Sequence, residues 1–446
     1  MIIKKIVPGS LSGEVVAPPS KSVAHRAIIV ASLAEGVSNI YNVSYSDDIL
    51  ATINVLKKLG IKIIEKEDSL EITGVDDWSS FHYGNMRSAL TDIIEENGGE
   101  VFDCKESAST LRFLLPLLLI IRRAVGVTGS KRLFERPLDA YFEIFDKNNI
   151  LYHEAEGYVG LYVSGRLDDF KYHVSGDVSS QFISGLLMSL PARDNASGIS
   201  VNGEVQSKNY VELTEQIMRH FGYQIMKVDQ KNPEDGYEYL LNSYHFASMS
   251  CNDLFIEGDY SQAAFFLSAA ALGHKITVKG LYDESLQGDK QIIEILQKMG
   301  ATVTDDGEAL TVEVENELIG TVIDASLIPD IIPILALVAS VANGETRIIN
   351  AKRLRIKECD RLKVTVDVLN KLGADITELD EGMIINGNPG GLVGGVTVDS
   401  HNDHRIAMML AIAGTICKEP ILIKNAQSVS KSYPNFFEVF DSLMEG

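Results

Sequence analysis

Residues 20–36 read SKSVAHRAIIVASLAEG, a polar start followed by an almost unbroken apolar segment. Serine is a common cap of helix N-termini, and an apolar run of this length is typical of a buried helix. A helix that is apolar all round belongs in the middle of a domain. The stretch therefore predicts a buried helix whose opening turns carry Lys21, His25 and Arg26.

The same pattern, a polar start and a nearly all-apolar helix, occurs six times along the chain. The steps between successive starts are 69 to 87 residues, and the starts are Ser20, Ser107, Ser179, Ser261, Asp330 and Asp403. A roughly fixed period signals repeated supersecondary units. We therefore predict six units of about 75 residues each, which together account for the whole chain.

A second pattern supports these units: a helix-like segment that ends near glycine and is followed by a strand-like run. Its glycines are Gly60, Gly222, Gly300 and Gly373, and a weaker copy has Asn149 at this place. Glycine, and after it asparagine, most readily adopts the left-handed conformation that closes a helix. Short strands are predicted in SLEITG (69–74), EALTVEV (308–314) and EPILIKN (419–425).

The length of 446 residues is too great for one compact core. We therefore predict an α/β protein of two domains with three units each. Crossings between the domains are predicted at the two prolines 18–19 and in the polar segment 248–259. One domain is then discontinuous, with residues 1–19 plus 256–446, and the other has residues 20–255.

Composition argues against several classes of protein. No apolar run reaches the length of about 18 residues that a membrane span needs, and the start MIIKKIVPGS lacks the apolar region of an export signal. The four cysteines are far apart without a CxxC pair, which favours reduced thiols in the cytoplasm and argues against a zinc site. The net charge of -22 argues against nucleic acid or an anionic membrane as a partner.

Basic residues are concentrated at the starts of several buried helices. Helix N-termini attract anions, so a cation there is unfavourable for the helix alone. Lys21 and Arg26 occupy the first start, Arg112 follows another, and Arg405 lies at the last. This recurrence favours anion binding over isolated surface cations. Ser22 and Arg26 are four residues apart and share a helix face, whereas we expect a structural role for His25.

The densest cluster of charge is RLRIKECDRL, residues 353–362. One interpretation is a solvated helix entry held by salt bridges, although Lys357 and Arg361 form the like-charge pair that such an entry would avoid. The other assigns the cations to an anionic substrate and keeps a carboxyl group such as Glu358 for proton transfer. The residues alone leave both open.

Taken together in chain order, these motifs resemble the enolpyruvyl transferase family, in its shikimate-using branch. The matching motifs are PPSKSVAHR, ERP, SSQF, SKNY, QGDK, IPD, RLRIKECDRL, NDHRIAM and KSYP. The resemblance implies two domains of three βαβαββ units. The discontinuous domain would carry the phosphoenolpyruvate-side motifs and the other domain the shikimate 3-phosphate-side motifs, with the active site in the cleft between them.

The resemblance also implies a reaction. The enolpyruvyl group of phosphoenolpyruvate is transferred to the 5-hydroxyl of shikimate 3-phosphate, and phosphate leaves from a tetrahedral intermediate, in aromatic amino acid biosynthesis. It implies a cytoplasmic enzyme, and we expect a monomer that needs no metal or organic cofactor and binds neither nucleic acid nor membrane.

Site residues are carried over position by position as what the resemblance implies. The residues implied to bind phosphoenolpyruvate are Lys21, Ala108, Arg136, Gln181, Arg361, Arg405 and Lys431. The residues implied to bind shikimate 3-phosphate are Ser22, Arg26, Ser179, Ser180, Gln181, Ser207, Tyr210, Asp330 and Lys357. Asp330 is the implied base for the 5-hydroxyl, Glu358 the implied proton donor to C3 of phosphoenolpyruvate, and Lys21 the other candidate acid or base.

Three positions depart from the family pattern. Ala108 stands where glycine is usual, and its methyl group would narrow the pocket for phosphoenolpyruvate. We expect glyphosate, which is longer and occupies the same place, to bind poorly. Glu106 stands where asparagine is common, and Cys359 replaces serine or threonine as a small buried spacer.

Two other functions compete with this interpretation. The sister enzyme of the family transfers enolpyruvyl to UDP-N-acetylglucosamine and usually uses a catalytic cysteine, for which Cys104 is the candidate. A catalytically inactive repeat protein that binds anions or assists assembly is the other. The motifs SSQ, KECDRL and SKNY argue against the first, and retention of the implied catalytic residues argues against the second.

Overall fold

The computed structural model describes residues 2–75, 100–121, 124–155, 159–193, 197–203, 205–229, 236–241 and 253–444. The chain divides into two compact units, Met1–Ser20 with Glu257–Gly446, and Lys21–Ile256. Each crossing lies one residue beyond the predicted position. Part of the predicted second crossing segment, residues 248–252 with Cys251, lies outside the described residues.

The N-terminal segment contributes β1 (Ile3–Ile6) and β2 (Ser12–Val16) to the discontinuous unit. The described helices of the unit Lys21–Ile256 are α1 (Lys21–Leu33), α2 (Asp47–Lys58), α3 (Ala108–Ile121), α4 (Lys131–Phe134), α5 (Asp139–Lys147), α6 (Ser180–Ser189) and α7 (Asn209–His220). Its described strands are β3 (Val37–Tyr41), β4 (Lys62–Glu65), β5 (Ser69–Thr73), β6 (Glu100–Asp103), β7 (Ala124–Thr128), β8 (Leu151–Glu154), β9 (Gly160–Ser164), β10 (Lys171–Ser175), β11 (Ser197–Asn202), β12 (Ile225–Asp229), β13 (Tyr237–Leu241) and β14 (Leu254–Phe255).

The chain after Ile256 completes the discontinuous unit. Its described helices are α8 (Tyr260–Ala271), α9 (Ile292–Lys298), α10 (Ile332–Ser340), α11 (Arg361–Lys371), α12 (His404–Ile416) and α13 (Phe436–Leu443). Its described strands are β15 (Lys275–Lys279), β16 (Thr302–Asp305), β17 (Ala309–Glu313), β18 (Val322–Asp324), β19 (Gly344–Ile349), β20 (Asp375–Leu379), β21 (Gly382–Gly387), β22 (Leu392–Gly394), β23 (Thr397–Asp399), β24 (Cys417–Glu419) and β25 (Ile421–Lys424).

Five four-stranded sheets share one topology, in which a parallel pair at one edge is followed by an antiparallel hairpin. Their strand orders are β14-β3-β5-β4, β6-β7-β9-β8, β10-β11-β13-β12, β16-β17-β15-β2 and β18-β19-β21-β20. The last unit differs, because β25 pairs with β23 in parallel and with β1 antiparallel. The six-unit α/β fold that the period predicted is therefore confirmed.

Two edge strands come from distant parts of the chain. In the unit Lys21–Ile256, β14 pairs with β3, with Leu254 opposite Ile40. In the discontinuous unit, β2 pairs with β15, with Ser12 opposite Lys275. Each chain crossing therefore comes within a few residues after a strand, and that strand pairs with a distant strand of the same unit.

The two helix patterns have the expected roles. The six apolar helices α1, α3, α6, α8, α10 and α12 are almost wholly buried. In the discontinuous unit α8, α10 and α12 pack against one another, and in the other unit α3 packs against α6. The amphipathic helices are followed by left-handed residues at Gly60, Gly222, Gly300 and Gly373 (φ +85° to +102°), and at Asn149 (φ +54°).

Two predicted helix starts are wrong. Asp259, rather than Ser261, caps α8 and accepts a hydrogen bond from the N–H of Gln262 at 3.0 Å. Asp330 lies before the cap of α10, which begins at Ile332. Aspartate is as good a cap as serine, so the pattern placed the start of α8 two residues late. Among the described residues no helix is both long and apolar enough to cross a membrane.

Gly185 generates a stability prediction, because the backbone of α3 lies very near to α6 at this position. A Cβ at this position would lie 2.3 Å from the carbonyl oxygen of Arg112 and 2.5 Å from the hydroxyl of Tyr141. Since the backbone of α3 is fixed by its own helix, we expect Gly185→Ala to lower the free energy of unfolding by about 3 kcal/mol. The midpoint of urea unfolding, followed by circular dichroism, measures this.

Gly307→Ala is the matched control, because Gly307 has a φ of +87° but no atom near its missing Cβ. It should lose only about 1 kcal/mol, from backbone strain alone. Equal losses in the two variants would contradict the close approach of α3 and α6.

Candidate functional site

The carboxylate of Asp330 lies among three cations, in a group that we call the Asp330 cluster (Asp330, Lys357, Arg361 and Arg405). Its Oδ1 lies 2.8 Å from Nη1 of Arg361 and 3.1 Å from Nζ of Lys357. Its Oδ2 lies 3.7 Å from Nη2 of Arg405. One carboxylate therefore contacts cations from three places, which are the start of α11, the start of α12 and the loop before α11.

The cluster sets the charge of its members. Burial opposes ionisation of Asp330, but Lys357, Arg405 and Arg361 hold the pKa of this carboxyl well below its usual range. Burial lowers the pKa of Lys357 to about 8. Asp330 is therefore ionised at neutral pH, and Lys357 can gain or lose a proton near it.

Arg361 links Asp330, the predicted base for the 5-hydroxyl, to Glu358, the predicted proton donor to C3. Its side chain has no exposed surface, and it donates from Nη1 to Asp330 and from Nη2 to Oε2 of Glu358. Its Nε donates to Oδ2 of Asp403 at 2.9 Å. All three nitrogens of the guanidinium are thus hydrogen-bonded to carboxylates of this chain, which fixes Asp330 and Glu358 on the same side chain.

Asp403, which the sequence indicated only as a helix cap, is also a partner of the Asp330 cluster. Its Oδ1 accepts hydrogen bonds from the N–H of Arg405 at 2.8 Å and of Ile406 at 3.4 Å, while Oδ2 receives Arg361. The thiol of Cys359 also donates to it, at 3.5 Å. One buried carboxylate therefore orients both arginines of the Asp330 cluster, one through its side chain and one through its backbone.

Both interpretations of the stretch RLRIKECDRL apply, each to different residues. Arg355 donates to the carboxylates of Asp360 at 3.0 Å and Glu378 at 2.6 Å, and to the carbonyl of Leu379 at 2.8 Å. It therefore anchors the loop to the hairpin of β20 and β21 by salt bridges. Lys357 and Arg361 instead converge on Asp330, which explains why this like-charge pair is tolerated.

Lys431 ends the short helical segment Ala426–Lys431 and donates from Nζ to the carbonyl of Asn402 at 2.5 Å. His401 and Asn402 both have left-handed backbones, with φ of +51° and +57°. Two such residues in succession store backbone strain, which concentrates at functional sites. They lie directly before Asp403.

In the unit Lys21–Ile256, Lys21 is the first residue of α1 and pairs with a carboxylate. Its Nζ lies 2.7 Å from Oδ2 of Asp48, in the first turn of α2. Asp48 had no role in the sequence prediction. The pair is largely shielded from solvent, so the ammonium is held in one position at the helix start.

Arg26 is buried rather than displayed. Its guanidinium donates to Oγ1 of Thr214 at 2.7 Å, to the carbonyl of Ser22 at 2.8 Å and to the carbonyl of Tyr210 at 3.0 Å. It also lies over the ring of Phe113, 4.9 Å from the centroid, and burial lowers its pKa to about 10. The structure thus brings Ser22, Arg26 and Tyr210 together, but these N–H groups point to protein oxygens.

Gln181 lies in a hydrogen-bonded chain that includes Arg112. Its Oε1 accepts from Nη1 of Arg112 at 2.9 Å, and its Nε2 donates to Oγ of Ser109 at 3.0 Å. Arg112 also donates to the carbonyl of Pro137 at 2.8 Å, next to the buried Arg136. The sequence prediction assigned no binding role to Arg112, although the recurrence of cations at helix starts had pointed to it.

The serines assigned to the 3-phosphate occupy two local structures. Ser179 caps α6 and accepts a hydrogen bond from the N–H of Gln181 at 3.3 Å, and Ser180 is the first residue of that helix. Ser207 is buried and has a φ of +52°, a conformation that is strained for a serine. Strain in a buried serine next to a helix start supports a functional role for Ser207.

The remaining candidates, His25 and Cys104, are buried and have the surroundings of residues with a structural role. His25 has no exposed surface and hydrogen-bonds through Nδ1 to Thr52 at 2.8 Å, and burial, Lys21 and Arg26 hold its pKa well below the usual value. Burial raises the pKa of the Cys104 thiol far above its ordinary value, so this thiol stays protonated. Within the described ranges no three His, Cys, Asp or Glu side chains are grouped as metal ligands.

Comparison with known proteins decides the family. The sequence pattern of EPSP synthase (3-phosphoshikimate 1-carboxyvinyltransferase) matches residues 6–440. The chain belongs to the EPSP synthase family. The 3-phosphoshikimate 1-carboxyvinyltransferase of Clostridium beijerinckii is 45% identical over 439 residues, covering 98% of this chain and 97% of the relative. That of Clostridioides difficile is 46% identical over 439 residues, with the same coverage.

Solved structures show the same fold as this EPSP synthase family member. EPSP synthase from Acinetobacter baumannii superimposes with a TM-score of 0.74 at 24% identity, covering 99% of this chain and 98% of that one. The enolpyruvyl transferase NikO from Streptomyces tendae superimposes with a TM-score of 0.73 at 14% identity, covering 99% and 97%. The two-domain enolpyruvyl transferase fold is therefore established.

Asp403 generates a prediction on stability. Asp403→Ala removes the partner of a fully buried arginine and the cap of α12, so we expect the free energy of unfolding to fall by about 3 kcal/mol. Urea unfolding measures the loss. Glu345→Ala, which breaks the exposed pair between Glu345 and Arg347, is the control and should lose less than about 1 kcal/mol. A loss for Asp403→Ala as small as the control's would show that Arg361 does not depend on Asp403.

Proposed function

We propose that this chain transfers the enolpyruvyl group of phosphoenolpyruvate to the 5-hydroxyl of shikimate 3-phosphate and releases phosphate. The full-length likeness to relatives named 3-phosphoshikimate 1-carboxyvinyltransferase supports the substrates. The observation that carries the chemistry is the ionised carboxylate of Asp330 held among Lys357, Arg361 and Arg405. The low pKa keeps Asp330 ionised but makes it a weak base, and an anionic substrate that takes up the charge of the three cations would raise its basicity.

The proposed reaction is an addition followed by an elimination. Asp330 takes the proton of the 5-hydroxyl as this oxygen bonds to C2 of phosphoenolpyruvate, and Glu358 delivers a proton to C3. In the second step C3 returns a proton to Glu358, the C–O bond to phosphate breaks and the leaving phosphate takes the proton held by Asp330, which restores the double bond and leaves Glu358 protonated and Asp330 ionised as they began. Because Arg361 holds both carboxylates, one guanidinium positions the base and the acid. Lys21 is the other candidate acid or base.

The proposed binding residues divide by substrate. Phosphoenolpyruvate is assigned to Lys21, Ala108, Arg136, Gln181, Arg361, Arg405 and Lys431, and we add Arg112 because it is hydrogen-bonded to Gln181. Shikimate 3-phosphate is assigned to Ser22, Arg26, Ser179, Ser180, Gln181, Ser207, Tyr210, Asp330 and Lys357. Since both substrates carry phosphate and carboxylate groups, the gathered cations offset their mutual repulsion.

The proposal includes a physiological setting. The enzyme acts in the cytoplasm as a monomer, as the reaction in aromatic amino acid biosynthesis that joins a phosphorylated hydroxy acid to a three-carbon unit. It requires no metal or organic cofactor, because phosphoenolpyruvate itself supplies the leaving group and the side chains supply the proton transfers.

Phosphate release tests the function. We expect inorganic phosphate to appear when phosphoenolpyruvate is mixed with shikimate 3-phosphate and not when it is mixed with UDP-N-acetylglucosamine. Cys104→Ser should keep the activity, because the buried Cys104 thiol stays protonated. Release with UDP-N-acetylglucosamine that Cys104→Ser abolishes would establish the sister enzyme instead. No release with either acceptor would favour an inactive anion-binding protein.

Ala108 generates a prediction on inhibition. It is the first residue of α3 and is buried, one residue before the Ser109 that contacts Gln181. Its methyl group narrows the space offered to an inhibitor longer than phosphoenolpyruvate. We therefore expect Ala108→Gly to lower the glyphosate concentration for half-inhibition about tenfold or more, at matched phosphoenolpyruvate concentration. Unchanged glyphosate potency in Ala108→Gly would overturn the steric explanation.

A further inference from the structure

The motif QGDK forms a buried turn against the start of α8 that the proposed mechanism does not use. Oε1 of Gln287 accepts from the N–H of Tyr260 at 3.1 Å and from the hydroxyl of Ser20 at 3.2 Å. Its Nε2 donates to the carbonyl of Gly258 at 2.8 Å. The short helical segment Gly288–Gln291 is thus fixed onto the first turn of α8.

Asp289, in this segment, is joined to the Asp330 cluster by one residue. It has no exposed surface, and its Oδ2 accepts a hydrogen bond from the hydroxyl of Ser261. The carbonyl of the same Ser261 accepts from Nη1 of Arg405 at 3.3 Å. Arg405 in turn lies 3.7 Å from Asp330. A fully buried carboxyl therefore connects through Ser261 to an arginine of the proposed phosphoenolpyruvate site.

The charges that face Asp289 are unequal. Asp330 and Asp259 are of like sign, and Arg405 is of opposite sign. Lys290, on the same segment, turns away to Asp283, with its Nζ 2.7 Å from Oδ1. Burial first, and then Asp330, raise the pKa of Asp289 to about 7, although Arg405 and the Ser261 hydroxyl act in the opposite direction.

We propose that Asp289 is a further positioning residue of this reaction, which orients Arg405 through Ser261 and, when ionised, weakens the hold of Arg405 on phosphoenolpyruvate. The proposal rests on the proposed function. The reason is electrostatic. An ionised Asp289 is a second buried carboxylate, in addition to Asp330, that attracts the guanidinium of Arg405. A neutral Asp289 leaves Asp330 as the main carboxylate that acts on Arg405, with Asp259 the weaker one.

The sign of the effect follows from the ionisation. When Asp289 is neutral, the site carries one negative charge less and binds the anionic substrate best. As the pH rises through neutrality Asp289 ionises, so the KM for phosphoenolpyruvate should rise. Lys357 also loses its charge at higher pH, but it does so in every variant and therefore cancels when variants are compared.

The test is the KM for phosphoenolpyruvate at about pH 6 and about pH 8.5, in wild type and in Asp289→Asn. We expect the rise in KM between these pH values to be about tenfold smaller in Asp289→Asn, because the amide cannot ionise. Asp283→Asn removes an exposed carboxylate from the preceding loop and should follow the wild type. Equal rises in wild type and Asp289→Asn would overturn the proposal.

Ser261→Ala separates positioning from simple packing. It keeps the Asp289 carboxyl but removes the hydroxyl that stabilises its ionised form, so the rise in KM should move to higher pH. A residue that only packs the turn would lower the unfolding temperature without moving this profile. A profile of Ser261→Ala that coincides with the wild type would therefore contradict the connection through Ser261.

A thermal measurement tests the ionisation without substrate. Since the pKa of Asp289 is raised in the folded chain, its contribution to stability is full below the ordinary carboxyl pKa of 3.8 and is lost as the pH rises from there to about 7. The unfolding temperature of Asp289→Asn relative to wild type should therefore rise over that interval. A constant difference would overturn the proposal. A wild type that releases no phosphate would instead contradict the proposed function, and the thermal difference would still decide whether Asp289 ionises near neutral pH.

Discussion

The buried guanidinium of Arg361 is the interaction on which the rest of the site depends. Removing an arginine from water costs several kcal/mol unless charged partners surround it. Here Asp330, Glu358 and Asp403 each accept from a different nitrogen of the group. Because the fork of an arginine is rigid and planar, three carboxylates on one fork are also fixed relative to one another. The side chain therefore sets the relative positions of Asp330 and Glu358, the proposed base and acid.

This constraint also explains the order of elements around the site. Arg361 opens α11, and Asp403 precedes α12, so their contact joins the starts of two helices from successive repeat units. Here α11 is the amphipathic helix of its unit and α12 is the buried helix of the next, so the contact joins the two helix types of the repeat. A repeat that gives every unit a helix start with free N–H groups thus creates a place where cations and carboxylates from several units can meet.

The fold was largely predictable because its signals are local and recur. A helix closed by Gly60 or Gly373 shows its end within a few residues, and repetition of the pattern indicates how many units there are. The edge strands β14 and β2 were not predicted, because each is completed by a partner more than two hundred residues away and has little local signal of its own. Strand pairing of this kind depends on the tertiary structure.

The candidate cations of each unit were predictable, whereas their partners were not. Lys21, Arg361 and Arg405 are conspicuous because they stand at helix starts where a cation is otherwise unfavourable. A buried aspartate at such a start has the ordinary appearance of a cap, so neither Asp403 nor Asp48 could be recognised in the sequence as the partner of a cation. Arg26 shows the opposite case, since its position suggested a ligand while its N–H groups are hydrogen-bonded within the protein.

The excess of acidic residues has a physical consequence for a site that binds anions. A protein with a net charge of -22 repels phosphate and carboxylate at long range, so its cations must be concentrated and held at fixed positions. Carboxylates such as Asp330 and Asp403 hold them, and they also lower the net positive charge of the cluster. An anion therefore binds there only if it gains more from the fixed N–H groups than it loses by repulsion from Asp330. A ligand with two anionic groups that reach several cations satisfies this condition better than a single phosphate does. The carboxylates that hold the cations in place therefore also make the cluster selective among anions.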